Sequence, residues 1–402
     1  MVVKAGIIVN VGAYRQARSY RTALARPGSL LQNETLNNAA RRGASTKDFM
    51  NRRPTATLNL LLGALAIACA PIQAAEHATI TLYHHVSEST PASTSVAPAV
   101  FRQHLDHLRD EGFNVMPLPE LLEALRERRQ IPDKSVAITF DDGYSSIFDT
   151  AFPILQEYGF PFTLFVNTQP LNDSMSGYMS WAQVKQMSDA GVTIANHMEN
   201  HPHMVDALPG EDMAARDQRL REELLRAQER IEAETGQNHK FIAYPYGEYD
   251  PANKAMLADL GFMGIGQQSG AVGFDADFLA LPRFPFGGSF TDLNDFKQKV
   301  QTLSFHLLKV DPESQMTQER NPSLTLQFAA GDFNFRQLAC YAGSQPMQME
   351  WLDQEQGLLR VSTDQTFNSR RYRYLCTAPL RGSNRYFWYS KDWTRSTPTN
   401  QD

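Results

Sequence analysis

The sequence is poor in cysteine, contains no low-complexity segment or 20–50-residue repeat, and has no apolar run long enough to cross a membrane. Only three cysteines occur among 402 residues. The missing repeat excludes solenoid and propeller architectures. A membrane span needs about 20 apolar residues, and no run reaches that length. The remaining composition, 42% hydrophobic and 20% charged, is typical of a globular protein with two or three domains.

Basic charge is also scarce once the N-terminal region is set aside. Residues 1–75 hold ten of the 38 Lys and Arg residues but two of the 44 Asp and Glu residues. The other 327 residues therefore carry a formal charge of −14. A surface this acidic argues against nucleic acid as a partner, because phosphate binding depends on basic side chains.

Residues 50–75 show the three-part order of a secretory signal peptide. A basic start at Arg52 and Arg53 precedes an apolar run over residues 58–70, and small residues follow at Ala74 and Ala75. This pattern predicts an exported protein, periplasmic or extracellular, without a transmembrane segment. Residues 1–49, rich in arginine, are predicted to be an over-extended reading frame, with a disordered leader as the alternative.

The cysteines agree with export. Cys69 would leave with the signal peptide; alternatively, its loose lipoprotein-type cleavage box could make it a lipid anchor. Cys340 and Cys376 remain as an even pair, which predicts a disulfide in an oxidising compartment.

Short apolar runs alternate with amphipathic segments from residue 78 to about 306. The strand-like runs lie at 78–86, 135–142, 161–168, 191–197, 240–247, 262–267 and 279–286. Seven such strands separated by helices predict a (β/α) barrel over residues 76–308, with its chemistry at the carboxyl ends of the strands. Residues 309–402 instead alternate in a pattern that predicts a small β-sandwich-like domain.

The run "AITFDDGY" ends a buried strand in two carboxylates and a glycine. Side chains alternate along a strand, so Asp141 and Asp142 can serve one site only where the strand breaks, and Gly143 permits that break. One carboxylate could then face a metal and the other a water molecule. The alternative is that Asp142 or Ser145 caps the following helix.

The run "NHMENHPHM" follows a second strand. His197 and His201 are four residues apart, a spacing that would place both on one face of a helical turn, whereas His203 would face elsewhere. Pro202 weakens this argument because it favours extended geometry at His201. A carboxylate with two imidazoles is a workable zinc site, although a histidine-rich surface loop is the alternative.

The run "YPYG" ends a third strand in a tight turn, whose backbone N–H groups could bind an oxyanion. Together the runs "TFDDGY", "NHMENH" and "YPYG" resemble the three motifs of the polysaccharide deacetylase (NodB homology) family, carbohydrate esterase family 4, over residues 78–306. The resemblance implies a NodB-type deacetylase barrel. It also implies a divalent metal, zinc above all with cobalt or nickel as alternatives, held by Asp142, His197 and His201.

The same resemblance implies roles for further residues. Asp141 would be the general base, and the backbone N–H of Tyr246 would stabilise the oxyanion. His84, in "LYHHV", matches the element that supplies the general acid in some exopolysaccharide deacetylases of the family. His84 is therefore the first candidate for the general acid, followed by His85 and then His306. The arginine that usually opens the third motif is replaced by Ala243, and Arg283 could substitute for it.

The predicted function is metal-dependent removal of N-acetyl groups from N-acetylglucosamine units of a polysaccharide, with release of acetate. The "YH" element favours a poly-N-acetylglucosamine exopolysaccharide as substrate. Peptidoglycan and chitooligosaccharides are alternative substrates, and a carbohydrate-binding protein on a deacetylase barrel is the alternative function. Several aromatic residues near the C-terminus could stack on sugars or form the sandwich core: Tyr372, Tyr374, Tyr386, Trp388 and Trp393.

Overall fold

The computed structural model describes residues 74–396. The predicted leader, Cys69 and all but the last two residues of the predicted signal peptide lie outside this range. Within it, no helix combines the length and the apolar character needed to span a bilayer.

The α/β part of the molecule runs from Ala74 to Lys299. Its strands are β1 (Ala74–Ala75), β2 (His77–Tyr83), β3 (His85–Val86), β4 (Ser95–Val96), β5 (Asn114–Val115), β6 (Ile131–Pro132), β7 (Ser135–Phe140), β8 (Thr163–Val166), β9 (Thr193–Asn196), β10 (Phe241–Ala243), β11 (Met263–Ile265), β12 (Ala271–Gly273) and β13 (Phe284–Pro285). Its helices are α1 (Pro98–Asp110), α2 (Leu118–Arg126), α3 (Phe152–Tyr158), α4 (Thr168–Asn172), α5 (Trp181–Asp189), α6 (Met213–Thr235), α7 (Pro251–Asp259) and α8 (Leu293–Lys299).

The central sheet curls into the predicted barrel. Strands β2, β7, β8, β9, β10 and β11 are parallel neighbours in that order. The seventh predicted run, residues 279–286, brings the two edges of this sheet together. Leu281 bridges to Ile265 of β11 at one edge, and β13 pairs with β2 at the other. The sequence prediction of a (β/α) barrel of about seven strands is therefore confirmed.

Alternation along β7 separates the barrel interior from the helical layer. Val136, Ile138 and Phe140 pack in one cluster with side chains of α1, α3 and α5. Ala137 belongs to a second cluster, formed with interior side chains of β8, β10 and β11 and with α2. The period of two therefore directs the residue at position 141 towards the interior of the barrel, at the carboxyl end of the strand.

Two short strands of the barrel sheet, β5 and β12, were not predicted from the sequence. β12 pairs antiparallel with the first residues of β2, on the same edge that β13 pairs with further along. It is three residues long and ends in Gly273, so it offers neither an apolar run nor an alternation that could identify it.

The C-terminal region is all-β, as predicted. Its strands are β14 (Leu303–Ser304), β15 (Leu307–Asp311), β16 (Leu324–Phe328), β17 (Ala339–Ala342), β18 (Gln345–Pro346), β19 (Gln348–Asp353), β20 (Leu358–Ser362), β21 (Arg371–Pro379) and β22 (Tyr386–Thr394). They form a five-stranded sheet, β14-β22-β21-β17-β18, and a four-stranded sheet, β15-β16-β20-β19. Pairing in these sheets begins at Leu303, ahead of the predicted boundary after residue 308.

The two C-terminal sheets share one apolar core. Leu326, Leu359 and Val361 from the four-stranded sheet contact the cluster that contains Tyr374 and Trp393 from the other sheet. Cys340 on β17 lies directly opposite Cys376 on β21, and the two form a disulfide. The bridge therefore ties neighbouring strands inside the core.

Candidate active site

Asp141 is fully buried at the end of β7 and is held by Arg283. The guanidinium donates two hydrogen bonds of 2.7 Å to the two carboxylate oxygens. Its Nε also donates to the Gly266 carbonyl at 2.9 Å, and Nη1 donates to the Thr139 hydroxyl at 3.1 Å. Burial acts to raise the pKa of Asp141, but the charge and hydrogen bonds of Arg283 outweigh it, and the pKa is lowered. Asp141 is thus an oriented, ionised carboxylate.

Asp142, His197 and His201 converge beside Asp141. The Oδ1 atom of Asp142 lies 3.2 Å from Nε2 of His197 and 3.4 Å from Nε2 of His201. Zinc ligands at about 2.0–2.2 Å in a tetrahedral arrangement are separated by roughly 3.3–3.5 Å. Both distances from Asp142 therefore match the spacing of ligands around one divalent cation, and all three ligand atoms lie within 4.8 Å of one another.

The hydrogen bonding of His197 shows that these atoms fit a metal. Its Nδ1 lies 2.8 Å from the Ala243 carbonyl, which can only accept, so Nδ1 carries a proton and, in the neutral imidazole, Nε2 presents its lone pair. Nε2 of His197 and Oδ1 of Asp142 are both buried, and neither has a hydrogen-bond partner among the described residues. Two buried acceptors facing each other are stabilised by a cation between them.

The electrostatics of the two imidazoles differ. Burial tends to lower the pKa of His197, but Asp141 and Asp142 outweigh this effect and the pKa is raised. Burial together with the neighbouring His197 lowers the pKa of His201 to about 4, so His201 is neutral at neutral pH. While His197 is neutral, two carboxylates against one arginine leave the centre with negative charge, which favours a bound cation.

Unusual backbone conformations bring these groups together. Asp142, Met198, His201 and Tyr246 all have positive φ, between 53° and 76°. Asp142 itself turns the chain at the end of β7, so the break falls one residue before Gly143. The expected helical turn from His197 to His201 is wrong: this segment is a loop, and the left-handed residues at positions 198 and 201 place both imidazoles at the site. Strained positions of this kind concentrate at functional sites.

The third motif forms a short 3-10 turn, Pro245–Gly247, after β10. Tyr246 has φ 59° and ψ 0°, and its ring lies 4.4 Å from that of His201. At Gly247, φ is 71° and an added Cβ would lie 2.7 Å from the side chain of Gln267. Glycine is therefore required here, and the turn is held against the His201 side of the centre.

His203 lies outside the Asp142, His197 and His201 cluster, as expected. Its ring stacks on Tyr246 at a centroid distance of 3.9 Å, and its Nδ1 lies 2.9 Å from Oε2 of Glu248. Glu248 is completely buried and also accepts hydrogen bonds from Arg370 of the C-terminal region. His203 thus connects the histidine loop, the Tyr246 turn and the C-terminal sheet.

The three histidines considered as the general acid occupy different places. His84 lines the same cleft as Asp142 and His201. His85 is buried, contacts the Ser146 hydroxyl and stacks on Tyr144. His306 pairs with Asp275, which follows β12 at the opposite end of the barrel. Of the three, His84 is the one on the cleft.

A cleft of about 1400 Å³ leads to the centre, and the C-terminal sheet forms one of its walls. Arg371 donates from Nη1 to the Tyr246 carbonyl and lies over the Tyr246 ring. Sequence reasoning did not place Arg371 or Arg373 at the site. Their alternation with core residues on β21 was visible, but nothing local indicated that this face meets the barrel.

The aromatic residues near the C-terminus divide between two roles. Tyr374 and Trp393 lie in the sandwich core. Trp388 and Tyr372 line the cleft, although Tyr372 is largely buried. Tyr386 is half-buried and does not line the cleft.

A parallel barrel whose strand ends carry a possible Asp-His-His metal site, next to an arginine-held carboxylate, has the features of a hydrolytic enzyme. Residues 128–265 match the sequence profile of the polysaccharide deacetylase family. The chain therefore contains a polysaccharide deacetylase domain, and the resemblance drawn from the three motifs is confirmed.

Curated relatives share this part of the chain. A poly-beta-1,6-N-acetyl-D-glucosamine N-deacetylase of Staphylococcus epidermidis is 27% identical over 200 residues, which cover 47% of this chain and 67% of the relative. A protein of the same name from Escherichia coli K12 is 24% identical over 242 residues, covering 52% of this chain and 36% of the relative.

A solved structure supports the fold. The Streptococcus pyogenes deacetylase PplD, determined in complex with acetate, superposes with a TM-score of 0.51 at 24% sequence identity. The match covers 56% of this chain and 98% of the PplD chain. The C-terminal sheets therefore include residues beyond the shared deacetylase fold.

Proposed function

We propose that this protein is an exported, metal-dependent deacetylase that removes N-acetyl groups from N-acetylglucosamine units of a poly-N-acetylglucosamine exopolysaccharide. The observation that carries the proposal is the convergence of Asp142, His197 and His201 beside the buried Asp141–Arg283 pair. The names of the Staphylococcus epidermidis and Escherichia coli relatives support this substrate. The disulfide supports export, since such bonds persist in oxidising compartments.

Asp142, His197 and His201 would hold the divalent cation, with zinc the preferred ion for one carboxylate and two imidazoles. When bound, the cation lowers the pKa of a water molecule and polarises the acetyl carbonyl. The Ala243 carbonyl fixes the ring of His197 so that Nε2 faces the ion.

The remaining steps belong to side chains and backbone of the chain itself. Asp141 accepts the proton of the attacking water as its oxygen approaches the amide carbon. Arg283 orients Asp141 through the paired hydrogen bonds and keeps it ionised. The Tyr246 N–H stabilises the oxyanion. His84 protonates the departing amine, so that acetate and a free amino sugar are released.

The proposal is tested by measuring acetate released from β-1,6-linked N-acetylglucosamine oligomers by the protein without residues 1–75, loaded with Zn, Co or Ni. We expect release that is abolished by a chelator and restored by added metal. Asp141→Asn should retain the metal and lower kcat by about 10²–10⁴-fold, the range for loss of a general acid or base.

Two results would contradict this scheme. Full activity of Asp141→Asn would remove Asp141 as the base. Release from peptidoglycan or chitooligosaccharides, with none from β-1,6-linked oligomers, would replace the substrate while leaving the metal site in place. Asp149→Asn, on the helical segment after the motif, is the matched control and should have wild-type activity.

A further inference from the structure

The two longest strands of the C-terminal region have one face in the sandwich core and the other on the cleft. On β21, Tyr374 and Cys376 lie in the core, whereas Arg373 and Leu375 line the cleft. On β22, Phe387 and Trp393 lie in the core. The positions that alternate with them line the cleft and are occupied by Trp388, Ser390 and Asp392. Strand alternation thus gives the hairpin a continuous face that the core does not use.

This face is continuous with the candidate active site. The same cleft is lined by His84, Asp142, His201 and Tyr246. Its volume of about 1400 Å³ exceeds the roughly 300–1000 Å³ of pockets that hold a single small ligand. A polymer that places one sugar at the metal site would therefore have neighbouring units within reach of the C-terminal sheet.

Trp388 is held in a fixed orientation on this wall. Its ring lies edge-on to Phe284 of β13, with centroids 5.4 Å apart at 80°, and its Nε1–H donates to the Ser390 hydroxyl at 3.1 Å. Because both the apolar edge and the polar edge of the indole are engaged, the ring loses little conformational freedom when a ligand packs on it.

Polar groups on the same face, two cleft-lining positions along the hairpin from Trp388, are also fixed. Arg373 is paired in the strand register with Asp392, with which it forms an ion pair. Its guanidinium further donates to the Ser269 hydroxyl and the Gln267 carbonyl, each at 2.8 Å. An aromatic surface and rigid hydrogen-bonding groups along one face suit a chain of hexosamine units, each with an apolar C–H face and a rim of hydroxyl and amide groups.

We propose that the cleft-facing side of the β21–β22 hairpin is a saccharide-binding subsite, in which Trp388 stacks against a hexosamine unit neighbouring the one at the metal site. This inference rests on the proposed function, because the occupant is a further unit of the same polymer. The subsite would make the protein prefer longer oligomers, because only these reach from the metal site to the C-terminal sheet.

The test is calorimetric titration of the metal-free protein with a β-1,6-linked N-acetylglucosamine pentamer and dimer, which separates binding from turnover. Trp388→Leu keeps an apolar contact to Phe284 but removes the ring. We expect about a tenfold weaker Kd for the pentamer and little change for the dimer. Trp351→Leu, at an aromatic residue of the four-stranded C-terminal sheet that does not line the cleft, is the control and should bind both oligomers as the wild type does.

The outcomes separate this inference from the proposed function. The subsite is overturned if Trp388→Leu binds the pentamer as tightly as the wild type does. It is also overturned if the variant loses affinity for the dimer and the pentamer equally. Both conclusions hold even if the wild type releases acetate. If the wild type releases no acetate but pentamer binding still depends on Trp388, the subsite is supported and the proposed function fails. Trp388→Phe, which retains an aromatic face, should recover most of the pentamer affinity, and its failure to do so would also overturn stacking.

Discussion

Arg283 pairs with Asp141, and we propose that it takes the place of the missing arginine of the third motif. Position 243 is alanine, and the guanidinium instead comes from the segment that closes the barrel between Leu281 and Pro285. Both Arg283 and Asp141 have fully buried side chains, so neither charge can be screened by water. A paired buried charge is tolerated, whereas a single one is strongly destabilising.

This pairing predicts a specific pattern of stability. Arg283→Met leaves the Asp141 carboxylate buried without its cation and should lower the free energy of unfolding of the metal-free protein by about 3–5 kcal/mol. Arg283→Met combined with Asp141→Asn removes both charges and should recover at least half of that loss. Urea unfolding of the wild type, both single variants and the double variant measures the coupling.

A matched control is the exposed pair of Arg360 and Glu350, whose side chains are 46% and 65% exposed. The same cycle there should give a coupling of at most about 1 kcal/mol. Additive effects of the Arg283 and Asp141 substitutions would show that the two charges do not stabilise each other.

At the scale of elements, the Tyr246 turn is held between the histidine loop and the first residues of β21. Glu248, immediately after the turn, accepts hydrogen bonds from His203 at 2.9 Å and from Arg370 at 2.9 and 2.7 Å. Burial acts to raise the pKa of Glu248, but the hydrogen bonds of Arg370 and His203 outweigh it and the pKa is lowered. The carboxylate form is therefore favoured by folding.

Glu248→Gln should consequently destabilise the protein in a pH-dependent way. A carboxylate with a lowered pKa in the folded state contributes stability above its unfolded pKa of about 4.3, and that contribution is lost as the pH falls through the folded value. Urea unfolding at pH 7 should show a loss of about 1.5–3 kcal/mol, the range for hydrogen bonds to a charged group. Below about pH 4.3 the difference from the wild type should shrink.

Glu350→Gln on an exposed strand serves as the control and should change stability little at either pH. A Glu248→Gln difference that stays constant, or grows, as the pH is lowered would contradict the assigned role of the carboxylate. The variant should also lower kcat, because the turn that presents the Tyr246 N–H loses a fixed contact.

Local patterns were sufficient for the main parallel strands of the barrel, but not for the short strands β5 and β12 or for the loops of the site. The seven predicted runs all contain strand residues or, at Leu281, a bridge of the barrel, because buried parallel strands are marked by short apolar runs between helices. The histidine loop follows no such period. His197 and His201 meet through positive φ values at two non-glycine residues, a conformation that spacing in the sequence does not encode.

At the scale of the whole molecule, contacts distant in sequence join the C-terminal sheet to the barrel. Arg385 of the last hairpin binds Asp133, 252 residues earlier, and Arg373 binds the Gln267 carbonyl, 106 residues earlier. Periodicity identifies which face of a strand is apolar, but not which distant surface that strand meets. For this reason the sequence predicted a β domain and could not assign Trp388 to the cleft rather than to the sandwich core.

The disulfide connects the proposed export of the protein with the stability of the C-terminal sheet that lines the cleft. Cys340 and Cys376 close a loop of 36 residues in the sheet that contains β21 and β22. Closing such a loop stabilises a folded domain by about 2–4 kcal/mol. The protein recovered from outside the cytoplasm should therefore begin near residue 75 and contain no free thiol, whereas a form expressed without residues 1–75 should stay reduced in the cytoplasm and melt several degrees lower.

Mass spectrometry after thiol alkylation gives the N-terminus and the redox state, and calorimetry gives the melting temperature. The double variant Cys340→Ala/Cys376→Ala should melt several degrees below the oxidised protein. This should hold for variant protein from either compartment, because the variant cannot form the disulfide. An exported chain that still begins near Met1 would contradict the signal peptide. Equal melting temperatures of the oxidised protein and the double alanine variant would contradict a stabilising role of the disulfide, since only this bond and the two sulfur atoms distinguish them.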